Sequence, residues 1–303
     1  MNRAPAAILY IIGNGFDLWH GIPSSLASFK DYVRGCDRDI YREIGDYLPT
    51  RDDWSDIETA LAELDVDAII DNLGHFMGDY GADDWSDSGH HDFQYEVENL
   101  VDRLSVGMRR RFGEWIRRLP IPTWETTPQR LTSLDTTAAF LNFNYTSTLS
   151  TTYGIPSKHV LFIHGCAAQA DEDLVLGHAW DPKVRKPLND REDIAEMDTR
   201  LVEANDLLDS YFSDTFKRSD VLIAENAPFF ESLKQVRNVF VLGHSLANVD
   251  AAYFKALLAQ PAVATARWSI ACRNLEEWPA KHHQLARFGL NPLLAHPVSW
   301  SAL

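Results

Sequence analysis

Short apolar runs bounded by turn residues recur along the chain and predict the strands of a sheet. The runs are AAILYII (6–12), AAFLNFN (138–144), HVLFIHG (159–165), DLVLGH (173–178), NVFVLGH (238–244) and RWSIAC (267–272). Because they are apolar almost throughout, and do not alternate between apolar and polar residues, they are typical of parallel strands covered on both faces. The pattern therefore predicts an α/β fold with a parallel sheet.

Helical spacing of apolar residues replaces these runs between the first and the second strand. Residues 93–119 repeat apolar side chains at helical intervals, and Ser55 followed by Glu58 predicts a capping box at an earlier helix start. Since this segment is too long for an ordinary crossover, we interpret residues 51–119 as a large helical insertion. Residues 1–50 and 120–303 then form the sheet domain. Residues 190–212 predict a second helical excursion, and residues 77–92 predict a loop.

Composition and charge narrow the range of partners. The chain has 303 residues, 45% of them hydrophobic, and a formal net charge of -16, which opposes attraction to nucleic-acid phosphates and anionic lipids. No apolar run approaches the ~18 residues that indicate a membrane span. Cys36, Cys166 and Cys272 form no CxxC pair of the kind that zinc or redox sites use. We therefore expect a cytoplasmic protein without metal or membrane contact, and nucleic acid is a poor candidate partner.

Two glycines follow the first predicted strand, where a helix is expected to begin. Gly13 and Gly15 would let the backbone approach a phosphate closely, with the N–H groups of the helix start directed at it. A tight turn without a ligand explains them equally well. Leu18 replaces the third glycine of the G-x-G-x-x-G pattern, and no acidic residue ends a second strand about 20 residues later. Both observations argue against an ordinary dehydrogenase.

Polar side chains follow three later strands. Asn142 and Asn144 end the second run, His164 ends the third, and His244 and Ser245 follow NVFVL, with Asp250 in the first turn of the next helix. Because ligands bind beyond the carboxyl ends of strands in open parallel sheets, we expect these side chains to converge on one crevice. Histidine suits proton transfer near neutral pH. Helix caps, packed side chains and strand-to-helix turns are the structural alternatives.

Five segments together resemble the AbiH family of bacterial abortive-infection proteins. They are IIGNGFDLWHGIP, WSDIE, LNFNYTSTL, IHG and VLGHSLANVD, which follow one another over most of the chain. The first also has the spacing of the sirtuin signature GAGxSxxxGIP. NYTSTL, IHG and GHSL are similar to the sirtuin segments NxD, LHG and GTS.

The resemblance implies a sirtuin-like Rossmann fold that binds NAD, and a defence role in which water cleaves the nicotinamide N-glycosidic bond. Asn144 would orient water or the nicotinamide ribose, and His164 would act as a base. Gly13 and Gly15 would hold the diphosphate, and Gly243 with Ser245 would line the adenosine side. The full set of expected NAD-binding residues is Gly13, Asn14, Gly15, Phe16, Asp17, Asn142, Thr146, Gly243, His244 and Ser245.

Two positions depart from the sirtuin pattern. Thr146 stands where sirtuins have Asp, which removes a carboxylate that could position ribose or water, and Asp17 stands where they have Ser. A carboxylate beside a diphosphate is repulsive unless it caps its own helix or binds ribose hydroxyls. The zinc-binding cysteine pairs of sirtuins are absent, which argues against protein deacetylation.

We therefore expect an anti-phage effector that hydrolyses NAD and is inactive until a phage-derived trigger is present. One alternative is a non-catalytic sensor that binds an NAD-derived nucleotide and signals through protein partners. Another is an enzyme that acts on a different nucleotide or on nucleic acid. His164 and Asn144 favour catalysis, whereas Thr146 and Asp17 favour binding or another substrate. We also expect the helical insertion to cover the crevice and to form a homo-oligomer contact.

Overall fold

The computed structural model describes residues 6–78, 91–168 and 174–303. The chain divides into two compact units. The sheet unit comprises Met1–Ser25, Gly113–Val175 and Arg218–Leu303, and the helical unit comprises Leu26–Phe112 and Leu176–Lys217. Most of the predicted loop at 77–92 lies outside the described residues.

The strands and helices of the described residues have the following bounds. The strands are β1 (Ile8–Ile12), β2 (Ala139–Asn142), β3 (Val160–Phe162), β4 (Asn238–Leu242), β5 (Arg267–Cys272) and β6 (Ala295–Ser299). The α-helices are α1 (Gly15–Trp19), α2 (Leu26–Cys36), α3 (Arg38–Tyr47), α4 (Ile57–Ala60), α5 (Val66–Leu73), α6 (Asp92–Asp102), α7 (Met108–Arg118), α8 (Thr148–Tyr153), α9 (Thr199–Asp214), α10 (Ser219–Glu225), α11 (Ala227–Ser232), α12 (Ala251–Leu258), α13 (Pro261–Ala264) and α14 (Trp278–Phe288).

The six strands form one parallel sheet in the order β3-β2-β1-β4-β5-β6. Successive side chains of β1 point to opposite faces, so Leu9 and Ile11 enter one apolar cluster while Tyr10 and Ile12 enter the other. The prediction of an α/β fold with a parallel sheet covered on both faces is confirmed. The order is that of a Rossmann-like fold, and its topological switch point lies between β1 and β4.

Two features of the sheet differ from the sequence prediction. In the run predicted at 173–178, the described residues 174–178 form no strand: Val175 N donates to His164 O at 3.0 Å, and His178 forms an isolated bridge with Phe216. The apolar residues of this segment are explained by burial, and not by pairing in the sheet. The sequence pattern also misses β6, whose residues AHPVS are mostly half-buried at the sheet edge beside β5. An edge strand needs no continuous apolar run and accommodates Pro297.

The helical pattern of residues 93–119 is confirmed by α6 and α7. One π-helical turn, Arg103–Gly107, joins α6 and α7. The predicted capping box of Ser55 and Glu58 is wrong. The N-cap of the short helix α4 is Asp56, which forms no capping hydrogen bond, and its side chain instead accepts from Arg51 N at 2.9 Å. The second helical excursion forms α9, which begins after Asp198, whose side chain accepts from Arg200 N. No helix in the described ranges has the length and apolar character needed to span a membrane.

Candidate functional site

The turn that follows β1 packs directly against the turn that follows β4. Gly13 N donates to Leu242 O at 3.0 Å, and Gly15 N donates to Gly243 O at 2.8 Å. A Cβ atom at Gly13 would lie 2.5 Å from the Cα of His244, and one at Gly15 would lie 2.8 Å from the Cα of Gly243. The close approach of two backbone turns therefore explains both glycines without a ligand.

Gly243 is constrained from the opposite side of the same contact. Its φ is +71°, and a Cβ atom there would lie 2.0 Å from Phe16 N. Phe16 N in turn donates to Gly13 O at 2.9 Å. Since the N–H groups of Gly13, Gly15 and Phe16 all donate to protein carbonyls, none of the three is directed at a ligand. The phosphate-binding role of these residues stays a prediction.

Asn14, at the tip of this turn, is held by the segment that follows α1. Its Nδ2 donates to Ser24 O at 2.8 Å, and Ser24 Oγ donates to its Oδ1 at 2.6 Å. Asn14 itself is exposed, and so is Ser245 beyond β4. Ser245 Oγ accepts from Ala247 N at 3.3 Å. The solvent-facing members of the predicted site are thus fixed by local polar contacts.

A buried carboxylate lies beneath the first turn. Asp17 Oδ2 accepts a hydrogen bond of 2.6 Å from Thr146 Oγ1, and Thr146 Oγ1 lies 3.0 Å from Thr148 Oγ1. Burial raises the pKa of Asp17 to about 6, while hydrogen bonding, above all from Thr146, opposes the rise. The carboxyl group is therefore mainly ionised at pH 7 and gains its proton in mildly acidic solution.

Two buried polar atoms of this cluster have no hydrogen-bond partner among the described residues. They are Asp17 Oδ1, an acceptor, and Asn144 Nδ2, a donor. The backbone of Asn144 is held by Asn142, whose Oδ1 accepts from Asn144 N at 3.1 Å. Asn142 thus positions Asn144. A contact between Asn142 and NAD stays a prediction. A small polar group with both a donor and an acceptor would satisfy the two free atoms.

His164 and His244 both approach one carboxylate. His164 Nε2 lies 4.0 Å from Asp250 Oδ1, and His244 Nε2 lies 3.5 Å from Asp250 Oδ2. His164 Nε2 is also 3.2 Å from the hydroxyl of Tyr253. The ring of Phe143 packs edge-on against both imidazoles, with centroid distances of 5.3 and 4.4 Å. The ends of β3 and β4 therefore present two buried histidines to the start of α12.

A protein family described as bacteriophage abortive infection AbiH matches residues 9–272 of the chain. The chain belongs to the AbiH family. Membership supports a role in anti-phage abortive infection. No curated protein and no solved structure is significantly similar to the chain, so the sirtuin likeness of AbiH gains no support from them.

The family match spans both polar groups of this AbiH protein, the one around Asp17 and the one around Asp250. Sequence reasoning missed Tyr253 and Thr148, and it assigned no role to Asp250. A signal was present, since Asp250 and Tyr253 are three residues apart at a helix start and therefore share a face. In the described ranges, no three His, Cys, Asp or Glu side chains are arranged to hold a metal ion.

Proposed function

We propose that this AbiH protein acts in abortive infection by binding NAD at the sheet unit and hydrolysing its nicotinamide N-glycosidic bond. The strand order supports the proposal, because dinucleotides bind across the switch point in sheets of this order. The turns that follow β1 and β4 flank this point. Family membership supplies the biological setting.

The free pair of polar atoms, Asp17 Oδ1 and Asn144 Nδ2, is the observation that carries the proposal. Buried donors and acceptors without partners are costly and rare in folded proteins. A hydroxyl group both donates and accepts, so a ribose hydroxyl or a water molecule satisfies both atoms at once. NAD hydrolysis requires both of these groups in one place.

Asp17 supplies a carboxylate in place of the one that is lost at Thr146 relative to the sirtuin pattern. Against the sirtuin pattern, the carboxylate and the hydroxyl have exchanged positions, and the two side chains are joined by the 2.6 Å hydrogen bond. The cluster therefore keeps one carboxylate beside Asn144. Its negative charge favours the cationic, oxocarbenium-like sugar that forms as nicotinamide leaves.

The chemistry assigns one step to each side chain. The oxygen of water attacks C1′ of the nicotinamide ribose while the C1′–N bond breaks, and the bonding pair neutralises the pyridinium nitrogen. His164 accepts the proton that water releases. Asn144 holds the water or a ribose hydroxyl, and Asp17 stabilises the charge on the sugar. The products are nicotinamide, ADP-ribose and a proton.

The test measures nicotinamide release by chromatography and NAD binding by calorimetry, with purified protein. It also measures the NAD content of phage-infected cells, where any trigger is present. We expect His164→Gln and Asn144→Ala to lower release by about 10²–10⁴-fold and to retain binding. His283→Gln, at an exposed position of α14, is the matched control and should behave like the wild type.

Two results would contradict the proposal, the first in the role of His164 and the second as a whole. Wild-type release from folded His164→Gln would exclude that residue as the base. Unchanged NAD levels in infected cells, together with no NAD binding, would overturn the proposal.

A second candidate is a sensor that binds an NAD-derived nucleotide without cleaving it. One observation favours it: Asn144 and His164 are only 5% and 3% exposed, so a bound nucleotide would not reach them without rearrangement. Binding of NAD without nicotinamide release, in purified protein and in infected cells, is the outcome that selects the sensor.

A further inference from the structure

A chain of buried hydroxyl groups ends on the carboxylate of Asp17. Thr146 Oγ1 donates to Asp17 Oδ2 at 2.6 Å, and Thr148 Oγ1 lies 3.0 Å from Thr146 Oγ1. All three residues belong to the sheet unit and are at most 4% exposed. Thr148, which begins α8, is outside the set of residues that the sequence predicts, and it takes no part in the proposed hydrolysis.

The carboxylate fixes the direction of both hydrogen bonds. A threonine hydroxyl has one proton, and the proton of Thr146 is donated to Asp17. Thr146 Oγ1 can therefore only accept at its second contact, so Thr148 is the donor there. The length of the first bond is typical of a charged acceptor, for which O–H···O⁻ distances are about 2.5–2.7 Å, whereas the second is as long as a bond between neutral groups.

The chain engages one oxygen of the carboxylate and leaves the other to a ligand. Asp17 Oδ1 and Asn144 Nδ2 have no hydrogen-bond partner in the part of the chain that the structure describes. When Asp17 is ionised, Oδ1 is an acceptor only, so a bound hydroxyl has to donate to Oδ1 and accept from Nδ2. Donors that stabilise the ionised form therefore maintain the polarity that these two atoms present to a ligand.

We propose that Thr148 is a positioning residue that acts through Thr146: it keeps the Thr146 proton directed at Asp17, so that Asp17 Oδ1 remains an acceptor for a ligand hydroxyl. In its effect on catalysis, the inference rests on the proposed function. The hydrogen-bond chain itself is a property of the ligand-free protein. It predicts that the Thr148 hydroxyl controls the protonation of Asp17, an effect that the packing of α8 alone would not produce.

The experiment follows the side-chain carboxyl carbon of Asp17 by ¹³C NMR in the full-length, ligand-free protein from about pH 4 to 9. Asp17→Asn assigns the signal. Thr146→Val removes the direct donor and should raise the midpoint by about 1–2 pH units. Thr148→Val should raise it by less, about 0.3–1 pH unit, because it weakens the same bond only indirectly. Thr148→Ser keeps the hydroxyl and should restore the wild-type midpoint.

Thr152→Val is the matched control. Thr152 lies one turn further along α8, is also buried, and donates from Oγ1 to Pro122 O at 2.7 Å. Its replacement removes a buried hydroxyl from the same helix but not from the chain, so it should lower stability and leave the Asp17 midpoint unchanged. An unchanged midpoint in Thr148→Val, or equal shifts in Thr148→Val and Thr152→Val, would overturn the inference.

Thr148→Ala gives the same test if the valine variant does not fold. Alanine also lacks the hydroxyl, and its smaller side chain cannot clash at the start of α8. We expect the same upward shift of the Asp17 midpoint as for Thr148→Val. A wild-type midpoint in Thr148→Ala would contradict the inference in the same way.

The activity measurement separates this inference from the proposed function. If nicotinamide is released, Thr148→Val should lower the rate by about 1.5–5-fold at pH 6 but hardly at pH 8, because the ionised fraction of Asp17 falls only at the lower pH. Thr152→Val should change the rate equally at both. A midpoint shift without nicotinamide release contradicts the hydrolysis while the hydroxyl chain stands. Release without a midpoint shift contradicts the chain alone.

Discussion

The hydroxyl of Thr146, beyond β2, donates a 2.6 Å hydrogen bond to the carboxylate of Asp17 in α1. Each residue alone departs from the expected pattern, since Thr146 removes a carboxylate and Asp17 introduces one. Together they form a single carboxylate–hydroxyl pair inside the sheet unit. The two departures from the sirtuin pattern are therefore in direct contact with each other.

Replacing Thr146 by Val should destabilise the sheet unit. The substitution keeps the shape but removes the donor to a buried carboxylate, and losing such a hydrogen bond costs about 1–3 kcal/mol. Thr146→Ser keeps the hydroxyl and is the matched control. Urea denaturation at pH 7 measures the free energy of unfolding. Equal stabilities of the Val and Ser variants would contradict the importance of this bond.

Asp17→Asn should change how stability depends on pH. Burial raises the pKa of Asp17 to about 6 from its ordinary 3.8, so between these two pH values the folded protein holds a proton that the unfolded chain releases. This contribution to stability is present at low pH and is lost as the pH rises through 6. Relative to the wild type, the free energy of unfolding of Asp17→Asn should therefore increase by roughly 2–3 kcal/mol from pH 4 to pH 7.

Denaturation curves of both proteins at several pH values in this window test the change. A constant difference between Asp17→Asn and the wild type would show that the carboxyl group titrates normally. The Thr146→Val variant should show the opposite trend, because the loss of a donor further disfavours the ionised carboxylate.

Five of the six strands could be predicted from the sequence because burial on both faces of a parallel sheet requires apolar side chains throughout. The same signal fails where burial and pairing separate. The described residues 174–178 are mostly apolar without forming a strand, and β6 pairs with β5 while its side chains stay mostly half-buried. An apolar run therefore indicates that a segment is buried. It indicates a paired strand only where the segment is buried on both faces of the sheet.

The candidate site was predictable to the extent that strand ends define it. His164 and His244 end neighbouring motifs, and the structure places both near Asp250. The spacing of Asp250 and Tyr253 places them on one helix face, but their approach to the histidines depends on the turn in which Leu246 takes a positive φ, which the sequence does not show. The glycines of the β1 turn show a different limit: a sequence reveals that something lies close to a glycine, but not whether it is a ligand or another turn.

Gly243→Ala should disrupt the packing of the β1 and β4 turns. The new Cβ would lie 2.0 Å from Phe16 N, at a φ of +71°, and both effects oppose folding. Gly154→Ala is a matched control, since Gly154 has a φ of +64° with no atom within 4 Å of the added Cβ. We expect a loss of about 1–2 kcal/mol for the control and more than about 3 kcal/mol for Gly243→Ala. Similar losses in denaturation experiments would contradict the close packing of the turns.

Tyr153→Phe should destabilise the sheet unit through two lost hydrogen bonds. The Tyr153 hydroxyl accepts from Leu131 N at 3.0 Å and donates to His20 Nε2 at 2.5 Å. Burial lowers the pKa of His20, and Nδ1 of the neutral ring donates to Phe16 O. We expect a cost of about 1–3 kcal/mol, measured by urea denaturation. Tyr95→Phe, at an exposed position, should change stability by less than about 0.5 kcal/mol, and an equal effect would contradict the prediction.

Arg103→Met should destabilise the helical unit most strongly at neutral pH. Arg103 Nε lies 2.9 Å from both carboxylate oxygens of Glu43, which is buried in α3. Burial raises the pKa of Glu43 while Arg103 opposes the rise, so removing Arg103 raises it further and leaves an unpaired buried charge. Such a loss costs about 3–5 kcal/mol.

Arg34→Met is the control for this charge, because Arg34 pairs with Asp31 at 2.9 Å while both side chains are more than half exposed. It should cost at most about 1 kcal/mol. Lowering the pH protonates Glu43 and removes the unpaired charge, so the loss in Arg103→Met should shrink in acid while that of Arg34→Met stays small. Unfolding followed by circular dichroism, which reports helix content, checks both trends. A loss in Arg103→Met that does not depend on pH would mean that packing of the arginine stem, and not its charge, stabilises the π-helical turn.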